Sequence, residues 1–258
     1  MRIYFVMRLK SLILLIDDCL KQKLLYYEWV DTNICKLKEA NIMENESKSN
    51  HVVNKTLEAL KRNRFRAVYK ENRKEALQHI LEEIPLEATV GAGDSITLKE
   101  IGIFEELRRR GFTLFWPFDE KVRKDERRNI ARKALLADVF LSGSNALTMD
   151  GKIVNVDATG NRVAGLIFGP RKAIVVVGVN KIVKNVEEAL KRIRKVAAPL
   201  NAKRIREERG WELLPCVDAG KCVDCSAENR ICNITAIIEK KPRAIDIAII
   251  IVGEKLGL

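Results

Sequence analysis

Histidine is almost missing from this chain, with two among 258 residues, His51 and His79. A Ser–His or Cys–His nucleophile needs an imidazole beside it. His79 falls among the apolar positions of a helical stretch, so that chemistry has little support. Aromatic residues make up only 6%, and none interleave with the basic runs as a single-strand nucleic-acid platform requires. Long hydrophobic runs are scarce near the start. The apolar stretch at residues 11–16 stops at Asp17-Asp18, too short for a membrane span or a signal-peptide core. No glycine-rich loop ends in Gly-Lys-Ser/Thr, which excludes a Walker phosphate loop.

What is present is charge and apolar bulk. Hydrophobic residues reach 47%, and 47 basic against 35 acidic side chains leave a formal charge of +12. That is ample for a packed core. Much of the excess lies in residues 121–133 and 191–209, where apolar residues recur at helical spacing, as on solvated helix faces. Nucleic acid is therefore not the expected partner, nor is a membrane span expected. A small anionic metabolite is.

Residues 1–42 read as an N-terminal extension, possessing no clear part in the domain, and Met43 opens a polar stretch that suits a natural terminus. From residue 43 to 258 the pattern is that of one domain. Helix 52–62 precedes strand 65–69, and a helix capped by Asn72 runs to Pro85. A short buried strand at 88–91 leads to a helix opened by Thr97-x-x-Glu100 and closed by Gly111. The run at 173–178 is apolar throughout, as in a parallel strand covered on both faces. Asp150-Gly151 predicts a type I′ hairpin, and the helix over 186–196 should end before Pro199. Strands alternating with helices predict an α/β fold: three layers, with a mostly parallel sheet flanked by helices. It carries an inserted β-hairpin and a cysteine-rich loop at 211–233. Strands at 234–239 and 245–252 close the chain, the second apolar enough to join the main sheet.

Three groups of residues bear on chemistry. Gly91, Gly93, Ser95 and Thr97 stand between a strand and a helix, where backbone N–H groups can meet an anion; a tight turn with no ligand is the plain alternative. Ser142, Ser144 and Asn145, with Asp157, Thr159, Gly160, Asn161 and Arg162, form two further polar loops that could face the first across a crevice beyond the strand ends. Asp157 is the one candidate for acid–base catalysis, and equally a turn residue. Arg162 has the fork geometry that grips carboxylate or phosphate. Finally Cys216, Cys222, Cys225 and Cys232 crowd one short stretch, while Cys19 and Cys35 stand alone. Without a secretory pattern a cytoplasmic protein is expected, and clustered thiols there point to zinc or an iron–sulfur cluster. The spacing matches neither a paired C-x2-C ribbon nor a ferredoxin run, so a disulfide or idle thiols remain open.

Taken together, GAGDSITLKEIG, ADVFLSGSNALTMDGKIVNVDATGNRVAGLIFGP, IVVVGVNKIV, ALKRIRKVAAPLNAKR and GKCVDCSAENRIC resemble the LUD domain, the lactate-utilisation family that includes LutC. The resemblance runs from about Val52 to Leu258. It implies a fold like that of the NagB, RpiA and CoA transferase group. It also implies an accessory or electron-transfer subunit of an oxidoreductase acting on lactate or a related organic acid, beside iron–sulfur partner subunits. The tandem C-x2-C-x2-C runs of such partners are not in this sequence. A sugar-phosphate or acyl-CoA enzyme of the same fold group, or a non-catalytic ligand-sensing module, are the alternatives. The intact mass of protein from its natural source is expected to correspond to a start at Met43; a product beginning at Met1 would overturn that start.

Overall fold

Strand parity builds the core. In a parallel strand alternate side chains face opposite ways, and here both faces are apolar. Strand β7 (Lys172–Gly178) sends Ile174 and Val176 to one side and Ala173, Val175 and Val177 to the other. Its neighbour β10 (Asp246–Val252) divides in the same way, Ala248 and Ile250 against Ile247, Ile249 and Ile251. Each fully buried aliphatic side chain of this kind contributes about 1.5–3 kcal/mol of transfer free energy. The computed structural model describes residues 50–258 other than 211 and 213, and Val52–Leu258 is one compact unit. The expected extension at 1–42 lies outside the described residues.

The main sheet has six strands, all parallel, in the order β1-β10-β7-β4-β2-β3. The remaining members are β1 (Arg66–Lys70), β2 (Val90–Ala92), β3 (Leu114–Phe115) and β4 (Val139–Gly143). Helices α2 (Arg73–Glu83), α3 (Ile96–Ile101) and α4 (Ile103–Arg109) bury Ile80, Leu98 and Phe104 against one face. Helix α1 (residues 50–62), α5 (Arg127–Leu135) and α6 (Asn161–Ile167) bury Leu60, Ala134 and Leu166 against the other. This is the three-layer α/β architecture. Among the described residues no helix is long and apolar enough to cross a membrane.

Several local expectations are refined. Gly102 adopts φ 79° and splits the predicted helix after Ser95 into α3 and α4. The cap is Ser95, whose Oγ accepts the Leu98 N–H, and not Thr97. The hairpin joins β5 (Ala146–Thr148) to β6 (Ile153–Asp157), but only Gly151 has positive φ. A type I′ turn needs two such residues; here Gly151 N–H donates to Thr148 C=O instead. A Cβ at Gly151 would also lie 2.7 Å from the Ala59 backbone.

The hairpin is not a mere insertion. With β8 (Ile182–Val183) and β9 (Ile234–Ile238) it forms a second, four-stranded sheet of order β8-β5-β6-β9. The predicted strand at 234–239 thus joins the small sheet, and the one at 245–252 enters the large one. Pro199 does not end a helix either. Helix α7 (Val186–Arg192) passes through a π-helical turn at Ile193–Ala197 into α8 (Ala198–Arg209). The wider turn places the proline at the start of α8, where its missing N–H costs least.

Gly91 sits under α5, where a Cβ would approach the Ala134 carbonyl oxygen to 2.2 Å. Because backbone cannot rotate away, Gly91→Ala is expected to cost at least about 1–3 kcal/mol. A drop in the urea midpoint with unchanged slope would show it; an unchanged midpoint would mean that α5 is loosely seated.

Candidate functional site

The loops that follow β2, β4 and β7 open at one end of the main sheet, where the small sheet and α8 close over them. Between them lies a cleft of about 760 Å³. Ser95, Thr97, Ser144, Asn145, Asp157, Thr159, Asn161 and Arg162 line it. Gly91, Gly93, Ser142 and Gly160 do not line it. Gly93 lies 3.2 Å beneath the Arg162 stem, measured from an added Cβ. Ser142 is fully buried and donates to Gly143 C=O. Gly160 turns the chain into α6 at φ 83°.

Arg162 ties the cleft floor together. Its Nε donates to Asp157 Oδ1 at 3.1 Å, and its Nη1 to Asn155 Oδ1 at 2.8 Å and Gly143 C=O at 3.4 Å. Its Nη2 donates to Asn145 Oδ1 and Val156 C=O, both at 2.8 Å. All five N–H groups are used, so the guanidinium holds protein and faces no ligand. Asp157 is committed too: its Oδ2 accepts the Arg162 and Val163 backbone N–H groups at 3.1 Å. It anchors the start of α6 and pairs a buried charge, a structural part in this arrangement.

The cations left open to a ligand, Lys181 and Arg127, were not singled out in the sequence. Lys181 follows β7, is 4% exposed, and donates from Nζ to Thr97 Oγ1 at 2.8 Å. No carboxylate pairs with it among the described residues. Burial, reinforced by Arg192 and Arg162 and opposed by Glu100, lowers its pKa to about 7. Arg127 reaches the cleft from α5 across the Phe118 ring at 5.8 Å. Its Nε is buried with no acceptor among the described residues. On the α8 wall, Asp94 accepts from Arg204 at 2.7 Å and Arg209 at 2.5 Å. Burial pushes the Asp94 carboxyl up, but Arg204 and Arg209 outweigh it and hold the pKa low. Asp94 Oδ1 is buried with no hydrogen-bond partner among the described residues. In all, Lys99, Lys124, Arg127, Arg162, Lys181, Arg204 and Arg209 line the cleft against Asp94, Asp157 and Glu208. Position after an apolar parallel strand was the one signal that could have marked Lys181. The run at 121–133 reads as a solvated face, yet Arg127 turns inward from it.

With this architecture in view, a family model for the LUD domain matches residues 53–252. The chain belongs to the LUD domain family. The LUD chain is also similar in structure to a DUF162 family protein from Deinococcus radiodurans, at 15% identity and a TM-score of 0.47, over 80% of this chain and 98% of that one. No curated protein sequence matches it.

The four cysteines of the LUD chain lie in a separate place, beside α8. Cys216, in α9 (Pro215–Ala219), packs with Ala202, Ile205 and Ile231. Cys222 N–H donates to Arg194 C=O at 2.9 Å within the π-helical turn. The Arg230 guanidinium binds the Cys225 and Cys232 carbonyls. Burial pushes the Cys216 and Cys232 thiols up, and the neighbouring thiols act in the same direction. Among the described residues, however, no three His, Cys, Asp or Glu side chains converge closely enough to hold a metal ion.

Removing the Arg162 fork leaves Asp157 as an unpaired buried charge. Arg162→Ala is expected to destabilise by about 3–5 kcal/mol, read as a lowered thermal midpoint before any ligand is added. A variant as stable as the parent would show that Arg162 is free for ligand after all.

Proposed function

We propose that this LUD-domain protein binds a small organic-acid anion in the cleft, as an accessory or electron-transfer subunit in oxidation of lactate or a related acid. The observation that carries the reading is a pair of cations without carboxylate partners among the described residues, Lys181 and Arg127, in a cleft whose lining is mostly basic. A buried cation with no counter-charge is costly, and an anionic ligand relieves that cost. Asn145 adds an amide that can orient the ligand. The family's connection with lactate utilisation supports the choice of an organic acid.

A second reading draws on size. About 760 Å³ is a volume ordinary for a ligand pocket and generous for a three-carbon acid. A sugar phosphate or an acyl-CoA would use more of it. A ligand-sensing module would bind an anion without turnover. The electron-transfer part of the proposal rests on the four thiols as iron–sulfur ligands; zinc held by the same thiols would be structural, since zinc has no redox chemistry. Thiolate ligation would have to offset the raised thiol pKa values of Cys216 and Cys232.

Calorimetry against lactate, pyruvate, sugar phosphates and CoA separates these readings, since each predicts a different strongest ligand. Arg127→Ala is expected to weaken anion binding about tenfold, a value typical of one charge-assisted contact, with the thermal midpoint little changed. Protonated Lys181 attracts the anion, so affinity is expected to be level below pH 7. It should then fall up to about tenfold per unit above it as binding requires proton uptake. A flat profile from pH 6 to 9 would exclude Lys181 from the anion site. Metal and acid-labile sulfide content of anaerobically purified protein tests the thiols; iron with sulfide is expected, and zinc alone or no metal at all removes the electron-transfer part.

A further inference from the structure

Lys181 is chemically more than a charge. The residue lines the cleft and is 4% exposed, and among the described residues its amine is held by one hydrogen bond, to the neutral Thr97 hydroxyl. The element carrying it, the single 3₁₀ turn Val179–Lys181, is anchored on both sides. Asn180 Oδ1 accepts the Leu256 N–H at 3.1 Å, and Arg192 donates to Asn180 C=O at 3.3 Å. The charged groups around Nζ are mostly basic: Arg162 from α6 and Arg192 from α7 face it, with Glu100 of α3 as the acidic neighbour. Glu100 is itself engaged, accepting the Gly257 N–H at 2.6 Å.

We propose that Lys181 captures a small 2-oxo acid by forming an imine with its ketone carbon. The inference deepens the anion-binding reading and rests on it. The acid's carboxylate answers the cationic lining, and its carbonyl is the electrophile that an amine in such a place takes up. In the step, the Nζ lone pair bonds to the carbonyl carbon while the carbonyl oxygen takes a proton. The carbinolamine then loses its oxygen as water. The product is a protonated imine; its positive charge is the proton that the carbonyl oxygen took from solvent, and one proton of the nitrogen leaves with that oxygen in the water. No oxidant or reductant is consumed. The amine must be neutral to attack, and the basic neighbours with burial keep a large share of it so near pH 7. A 2-hydroxy acid such as lactate has no ketone carbonyl to form an imine and can only occupy the anion site.

The test is reductive trapping on the full chain. Purified protein is incubated with pyruvate and cyanoborohydride at pH 7, and the carboxyethyl adduct is located by peptide mass mapping. One adduct is expected, on Lys181, forming about tenfold or more faster than on exposed lysines such as Lys240, as the larger neutral fraction requires. Its rate should rise through pH 7 and level off above it. Excess lactate should slow it by competition. Lys181→Arg should abolish the adduct, and because that variant can fail on folding alone, lactate protection of the unmutated protein is the companion measurement. Labelling spread over exposed lysines, or none at Lys181, overturns the covalent step. If pyruvate still binds by calorimetry in that case, the anion cleft stands without the imine; if it does not bind, both readings fall.

Discussion

A guanidinium buried among strand ends must have all of its N–H groups satisfied, and the far end of this fold is arranged around that demand. Arg162 draws acceptors from Gly143 at the end of β4, from Asn145 beyond it, and from Asn155, Val156 and Asp157 of β6. The main sheet and the small sheet are thereby joined at one side chain. Asp157 supplies the balancing charge and also receives the first N–H groups of α6. Such a network is worth keeping whole, since a partly satisfied one in low dielectric is worse than an apolar core. The cleft floor is therefore rigid before any ligand arrives, which reduces the ordering that binding has to offset.

Once that hub is closed, the leftover charges define the cleft. Lys181 and Arg127 sit where no carboxylate answers them among the described residues, whereas Arg204 and Arg209 are held by Asp94. The division separates cations that build the wall from cations available to a ligand. A basic composition alone does not make this distinction. Much of the formal +12 is spent on exposed helix faces, as with Arg109 and Arg110 around Glu106.

The π-helical turn at Ile193–Ala197 lies between the cleft and the cysteine stretch. Ala197 lines the cleft, while Ile193 and Arg194 border a smaller cavity of about 70 Å³ with Cys222 and Cys232. A widened turn of this kind is common beside functional sites. Its local cause here is Pro199, which has no N–H to give to the regular ladder.

The sequence by itself determined the layers. Apolar runs such as Ile245–Val252 and Ala173–Gly178 are short and rich in β-branched residues, which reads as parallel strands covered on both faces, and the helices between them carry one apolar stripe each, so the three-layer sheet was legible. The polar loops around Ser95, Asn145 and Asp157 were legible too, because glycine and small polar residues mark strand ends. What only the tertiary structure decided is how those residues pair. Nothing local shows that Arg162 spends every donor on the protein, that Arg127 turns in from an exposed basic helix, or that Lys181 lands beneath Thr97, 84 positions away. Hairpin residues 146–157 and strand Ile234–Ile238 likewise look independent until β6 and β9 pair across a long stretch of chain. Local sequence sets backbone preference and burial, but which charge meets which depends on contacts between distant segments, and those are settled only when the two sheets close on each other.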